Sequence, residues 1–284
     1  MVTGAAEDEF HDRASAQDFL RALARRAEPW PLGLAALALA ALDRPRVDLA
    51  RYRHHLASLA REVGEQAAAA DDPERRIAAL NAVLMERYGY QGDTLTYEDL
   101  QNANLMRVID RRKGLPVALG ILYLHAGRAQ GWDMAGLAFP GHFLLRLDDE
   151  GTRLIIDPFH EGRVRQAAEL RDLLKTMAGN DAELTPAHYA AASDRDVLLR
   201  LQNNIKLRLI ESRQLEKALA VIDGMLLFAP DDAALWREAG VINAELGQLQ
   251  AAIGALERFL ALADSDAARH HAAALIERLR KRLQ

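Results

Sequence analysis

The sequence predicts an α+β fold that is mostly helical, and three observations carry that prediction. Ala and Leu dominate a chain of 284 residues of which only 6% are aromatic, and both are strong helix formers. The middle of the chain breaks the helical pattern. Short apolar runs at 135–139, 142–147 and 153–157 read as strands, with the polar loop Asp148-Asp149-Glu150-Gly151 as a hairpin connection. The last part repeats itself: Gln214-Leu215-Glu216-Lys217-Ala218 aligns with Gln248-Leu249-Gln250-Ala251-Ala252, 34 residues on.

Composition narrows the function classes. Half the residues are hydrophobic and 27% are charged, as expected of a soluble globular chain. The formal net charge of −5 gives no basic face for nucleic acid, so none is expected as a partner. The apolar run 32–42 is bracketed by Pro31 and Asp43 and falls short of the ~20 residues of a membrane span. The N-terminal stretch is polar and acidic, unlike a signal peptide. These features predict a cytoplasmic protein without membrane contact. The chain has no cysteine, which excludes disulfides, thiolate metal sites and thiol catalysis.

The elements follow in order. Residues 1–14 read as a disordered tail, and Ser15 is a candidate N-cap for a helix reaching Arg26. Trp30-Pro31 opens a second helix that ends near Asp43-Arg44-Pro45. A long amphipathic helix over 47–70 stops at Asp71-Asp72-Pro73, and Pro73 suits the first turn of the next. A helix over 102–113 is expected to close on Gly114 as C′ residue. Pro116 then opens a nearly all-apolar helix over 116–130, expected to be central and buried, with Gly131 ending it. Residues 168–177 return to helix. From Asp194 the 34-residue offset matches the tetratricopeptide period. Trp236 falls on that repeat's aromatic position, Gly240, Gly247, Ala218 and Ala252 on its small positions, and Pro230 on its proline. The helix 267–283 reads as a solvating cap. The expected domains are the tail 1–14, a core 15–192 and repeats 193–284.

His142 and Asp157 are the candidate chemistry. Pairing Leu147 with Thr152 leaves a four-residue loop and sets His142 opposite Asp157, where facing Cβ atoms lie ~5 Å apart. The Asp carboxylate would then take the His ring N–H and fix its tautomer. The same register sets Arg146 opposite Arg153, so a shift of two remains open. The bland alternative is a His and an Asp that each end a strand.

These residues carry a resemblance. The segment 102–159 resembles transglutaminase-like proteins, whose papain-like core opens a helix with a nucleophilic Cys and places His and Asp on successive strands. More narrowly, the chain resembles the SirB family of bacterial transglutaminase-like proteins with C-terminal tetratricopeptide repeats. The matching residues are Arg76-Ile77-Ala78-Ala79-Leu80-Asn81, Tyr88-Gly89-Tyr90, Asn104, Arg111-Arg112-Lys113-Gly114-Leu115-Pro116, Phe139-Pro140-Gly141-His142-Phe143 and Asp157-Pro158-Phe159. At Glu161 the chain departs from the small residue, often Gly, that the family places there. The resemblance implies a transglutaminase-like core with a small antiparallel sheet, followed by a tetratricopeptide-like bundle, and a link to bacterial regulation.

Alignment on the Gly-ended helix puts the thiol position of active transglutaminases at Pro116. Residues 97–151 contain no Ser, Thr or Cys to replace it. No catalytic residue is therefore assigned: His142 and Asp157 read as a vestigial dyad. The expected function is a non-catalytic peptide- or protein-binding scaffold with regulatory use. The alternative is a thiol-independent hydrolase in which His142 acts as general base on water, oriented by Asp157. Candidate binding residues are Asn104, Arg107, Arg111, His142, Asp157 and His160. The basic group Arg107, Arg111, Arg112 and Lys113 complements a helix C-terminus or else forms an anion site beside His142. His142, Asp157 and His160 lack a recognisable metal-ligand spacing, so no metal and no cofactor is expected. His54-His55 and His270-His271 read as surface residues. In the repeats the candidate groove residues are Asn203, Lys206, Arg208 and Trp236, with a protein or peptide as partner. Nothing in the sequence fixes an oligomeric state.

Overall fold

The computed structural model describes residues 10–283. Two compact units share the chain: Met1–Phe19 with Ala27–Leu201, and Leu20–Arg26 with Gln202–Gln284. The start of the expected tail, 1–9, lies outside the described residues. The rest of it is ordered, since Phe10 is fully buried and helix α1 (Arg13–Leu23) begins before Ser15. Asp12, not Ser15, caps it by accepting the Ser15 backbone N–H at 2.8 Å.

In the first unit α2 (Leu32–Asp43) and α3 (Ala50–Gln66) precede α4 (Pro73–Asn81). Asp72 caps α4, and Pro73 sits in its first turn, where no N–H is needed. The chain then enters β1 (Gln91–Gly92), α5 (Leu105–Arg111) and β2 (Lys113–Gly114), with β1 and β2 paired in parallel. Here the structure corrects the sequence reading. The helix ends on Arg112, which takes the left-handed C-cap conformation at φ 60°, and Gly114 belongs to a strand. Arg112 tolerates that backbone because its guanidinium lies over the rings of Tyr88 and Tyr90 and donates to His55.

Helix α6 (Pro116–Arg128) is buried along almost its whole length, as its apolar run predicts. Its glycines receive the sheet. The Phe143 ring fills the space at Gly120, and Met134 fills that at Gly127. The sheet is β3 (Asp133–Gly136), β4 (Leu145–Asp149), β5 (Thr152–Asp157) and β6 (Arg163–Val164), antiparallel in that order. Its register differs from the one that opposes His142 to Asp157 and is shifted by two: Asp149 pairs Thr152 and Leu145 pairs Ile156. The turn is then Glu150-Gly151, both at positive φ, the backbone that matches strand twist in a two-residue hairpin. The shift removes the Arg146–Arg153 clash, and Arg153 instead faces Asp148 and bonds it at 2.6 Å. Helix α7 (Ala167–Ala178) closes a small core on Leu137, Phe139 and Ile155.

Helix α8 (Asp194–Glu211) runs across the division between the units. In the second unit α9 (Leu215–Phe228), α10 (Ala233–Glu245), α11 (Leu249–Leu262) and α12 (Asp266–Leu283) follow. Gln214 and Gln248 occupy the same position, just before α9 and α11, so the 34-residue offset is structural. Ala218 and Ala252 are fully buried, and a Cβ on Gly240 would stand 2.6 Å from Leu256. The small residues are where helices meet. Among the described residues no helix is long and apolar enough to cross a membrane.

Candidate functional site

Asp157 ends β5 with no exposed surface, and its carboxylate gathers the site. Oδ1 accepts from His142 Nε2 at 3.0 Å and from the backbone N–H groups of Phe159 and His160. Oδ2 accepts from His160 Nδ1 at 2.9 Å and from Arg165 Nε and Nη2 at 3.0 and 2.6 Å. Burial opposes ionisation, but the hydrogen bond and charge of His142, the Arg165 guanidinium and His160 outweigh it and hold the carboxyl well below the usual range.

His142 meets Asp157 without standing opposite it in the ladder. It lies before β4, in a bend set by Gly141 at φ +68°, with its own N–H donating to Pro140 O. Its Nε2 is spent on Asp157, so Nδ1 is the nitrogen left for a water or a ligand. Aromatic neighbours seat the pair. Phe143 packs on Gly120, one turn below Pro116, while Phe159 packs on Gly92, the ladder partner of Gly114. The dyad therefore lies beside α6, whose first helical position Pro116 holds. Behind it, Tyr123 donates to Asn81 Oδ1 at 2.7 Å, and Asn81 donates to Gly162 O at 3.1 Å. That clamp fixes the loop carrying His160. Burial first, then the charge of Asp157, keeps the Tyr123 hydroxyl protonated.

The other expected binding residues are engaged elsewhere. Asn104 caps α5 and donates to Asp43. Arg111 bonds Asn102 and the buried Asp93 at 2.8 Å each, and Arg112 belongs to the His55–Tyr90 cluster. The basic run thus disperses into structural contacts, with Arg107 exposed. His55 is half-buried against Tyr90 and Arg112, not a surface residue. His160 does join the dyad and is 47% exposed at its side chain. In the repeats, Lys206 is buried against Glu238 at 2.5 Å, and Arg208 donates to Asn204 O. Trp236 donates to Pro230 O under Arg258, while Asn203 is partly exposed.

Arg165 is the functional neighbour that the sequence reading missed. Its signal was the turn Glu161-Gly162, both at positive φ, which folds β6 back on β5 and returns Arg165 to Asp157. His142, Asp157 and His160 offer three ligand atoms within 4.8 Å of one another, a set that could suit a divalent cation. Against that use, each imidazole nitrogen facing the carboxylate already donates to it. Arg165 also supplies the positive charge that a metal would bring.

A buried carboxylate orients a histidine beside a central helix. The chain matches the transglutaminase-like superfamily over residues 50–203 and the tetratricopeptide repeat over 205–283. It belongs to the transglutaminase-like superfamily, in its bacterial form with C-terminal repeats. A protein of the UPF0162 family from Vibrio cholerae is 32% identical over 234 residues, covering 82% of this chain and 86% of that one. Another, from Xylella fastidiosa, is 31% identical over 195 residues, covering 66% and 68%. Protein SirB1 of Salmonella typhimurium is 29% identical over 206 residues, covering 72% and 75%.

Proposed function

We propose that this protein is a non-catalytic member of its superfamily, a peptide- or protein-binding scaffold with a regulatory role in the bacterial cytoplasm. One observation carries the reading: the frame for thiol chemistry is kept and the thiol is gone. Covalent acyl transfer needs a nucleophile within hydrogen-bond reach of its base. Here proline holds the helix start, and the chain has no cysteine. Asp157 is tied by Arg165 as firmly as by His142, an arrangement suited to a rigid recognition surface. The repeats support the same reading, since such repeats generally mediate contacts between proteins. Amine incorporation into a glutamine donor, with and without calcium, is expected to stay at background. Turnover above background that disappears in His142→Ala would overturn the reading.

The 3.0 Å hydrogen bond from His142 to Asp157 favours a second reading, a thiol-independent hydrolase. Nδ1 of His142 would take the proton of an attacking water while Asp157 holds the ring. Activated ester hydrolysis decides between them: the hydrolase reading requires turnover that falls in both His142→Ala and Asp157→Asn.

A further inference from the structure

We propose that a groove in the repeat unit, between α10 and α12, docks an amphipathic helix of a partner protein whose apolar face is bordered by acidic residues. This rests on the binding reading above and gives the partner its chemistry. The groove encloses about 550 Å³, within the usual range of ligand-binding clefts. The buried Leu256 and Phe259 of α11 line it, together with Ile210, Val241, Ile242 and Leu275. Helix α11 packs against both α10 and α12, and residues of all three line the groove.

The lining selects a helix over an extended strand. Its surface is mainly apolar, and the charged residues Arg213, Arg237 and Glu245 of its lining are exposed to solvent. An extended peptide laid there would bury backbone N–H and C=O groups without partners, whereas a helix satisfies its own. Helical partners reach such grooves with apolar side chains at i, i+3 or i+4, and i+7. Val241, 42% exposed, is an uncovered apolar contact in the lining.

The charge of the rim selects acidic residues. Glu238 is neutralised by the buried Lys206 at 2.5 Å, and Glu245 faces Arg213 at 3.8 Å. Arg237 has no ion pair or hydrogen bond among the described residues, and His271 stands on the same rim. The lining with Lys206 therefore carries three cations against two carboxylates, in a chain whose formal charge is −5. Opposite charge across an interface steers the right partner and repels the wrong one. A basic helix is disfavoured here and an acidic one is favoured.

The test pans a random-sequence peptide library on the full chain, then measures selected peptides by fluorescence anisotropy. Enriched peptides are expected to combine helical apolar spacing with Asp or Glu beside it. Val241→Asp should weaken their binding roughly tenfold or more, as loss of a central apolar contact does. Arg237→Glu should weaken it and be rescued by a Glu→Lys change in the peptide. Glu86→Gln, at an exposed position of the first unit, should leave it unchanged. Both groove positions are exposed, and circular dichroism checks that the variants fold. Enriched peptides without acidic residues, or indifferent to both groove variants, overturn the proposal. Loss of binding in His142→Ala alone would move recognition to the dyad and leave the general binding reading standing. No enrichment at all would sink both.

Discussion

Asp157 has six donors on two oxygens, and that fact sets its behaviour with pH. Its folded-state pKa is depressed below the unfolded value of about 4, so its contribution to stability is full above that pH and fades as pH falls through the folded value. Asp157→Asn removes the charge but leaves Arg165 in place, a side chain only 13% exposed. Breaking a buried pair in this way costs about 3 kcal/mol at neutral pH. Urea melts should therefore show a less stable variant whose stability falls less steeply below pH 4, and parallel acid limbs would mean that the carboxylate is not ionised in the fold. Glu161 tests the opposite situation. It stands at φ 59°, where an L residue pays about 1–2 kcal/mol, and it is the position at which the family places a small residue. Glu161→Gly should gain stability of about 1 kcal/mol, less than the full strain because glycine also loosens the unfolded chain. A loss in urea melts would show that the Glu side chain makes a contact worth more than the strain.

Elements bounded by proline and glycine were the legible ones. Pro73, Pro116 and Gly131 mark their helix ends in the sequence as they do in the structure, because backbone chemistry acts locally. The hairpin register was not legible: it turns on Glu150 accepting a positive φ, and glutamate gives no sign of that. The closeness of His142 and Asp157 was readable, but through the wrong ladder, and Arg165 was hidden because its approach depends on a second tight turn. The end of α5 failed for a related reason. Arg112 takes the left-handed cap with its guanidinium held by Tyr88, Tyr90 and His55, all far from it in sequence. That cluster makes its own prediction. Burial, with the charge of Arg112 second, lowers the His55 pKa to about 4, so the fold favours the neutral ring. Stability should be full above pH ~6.5 and decline toward pH 4 as the unfolded chain takes up the proton. Because the ring is only partly buried, the loss should be about 1 kcal/mol after solvent screening. His55→Gln should flatten stability across that window, and an unchanged slope would assign it to another group. In the repeats, Gly240→Val should cost about 1–3 kcal/mol through overpacking against Leu256, read as a lower thermal midpoint.

At the scale of the whole molecule, the sequence suggests a cut near residue 192 between a core and its repeats, yet the first unit extends to Leu201. The first turns of α8 belong to it physically. Asp194 is 2% exposed. Its carboxylate accepts from the Trp30 backbone N–H at 2.7 Å and from Arg128 Nη1 at 2.8 Å. Val197, Leu198 and Leu201 are each at most 1% exposed, and Val197 packs on Gly136 at the end of β3. A fragment of residues 1–192 loses all of these contacts at once and leaves Arg128, a side chain 22% exposed, without its carboxylate. Loss of one partner from a largely buried pair costs about 3 kcal/mol, and each lost large apolar side chain adds about 1.5–3 kcal/mol of burial. Against a typical domain stability of about 5–15 kcal/mol, that fragment should be unfolded or aggregated. A fragment of residues 1–211 keeps the whole of α8 and should remain folded, with a higher urea midpoint. Failure of the shorter fragment to bind a partner would then report lost structure, not a lost binding surface. Equal midpoints for the two fragments would show that the start of α8 adds nothing to the first unit, and only then would a cut at 192 separate the functions of core and repeats.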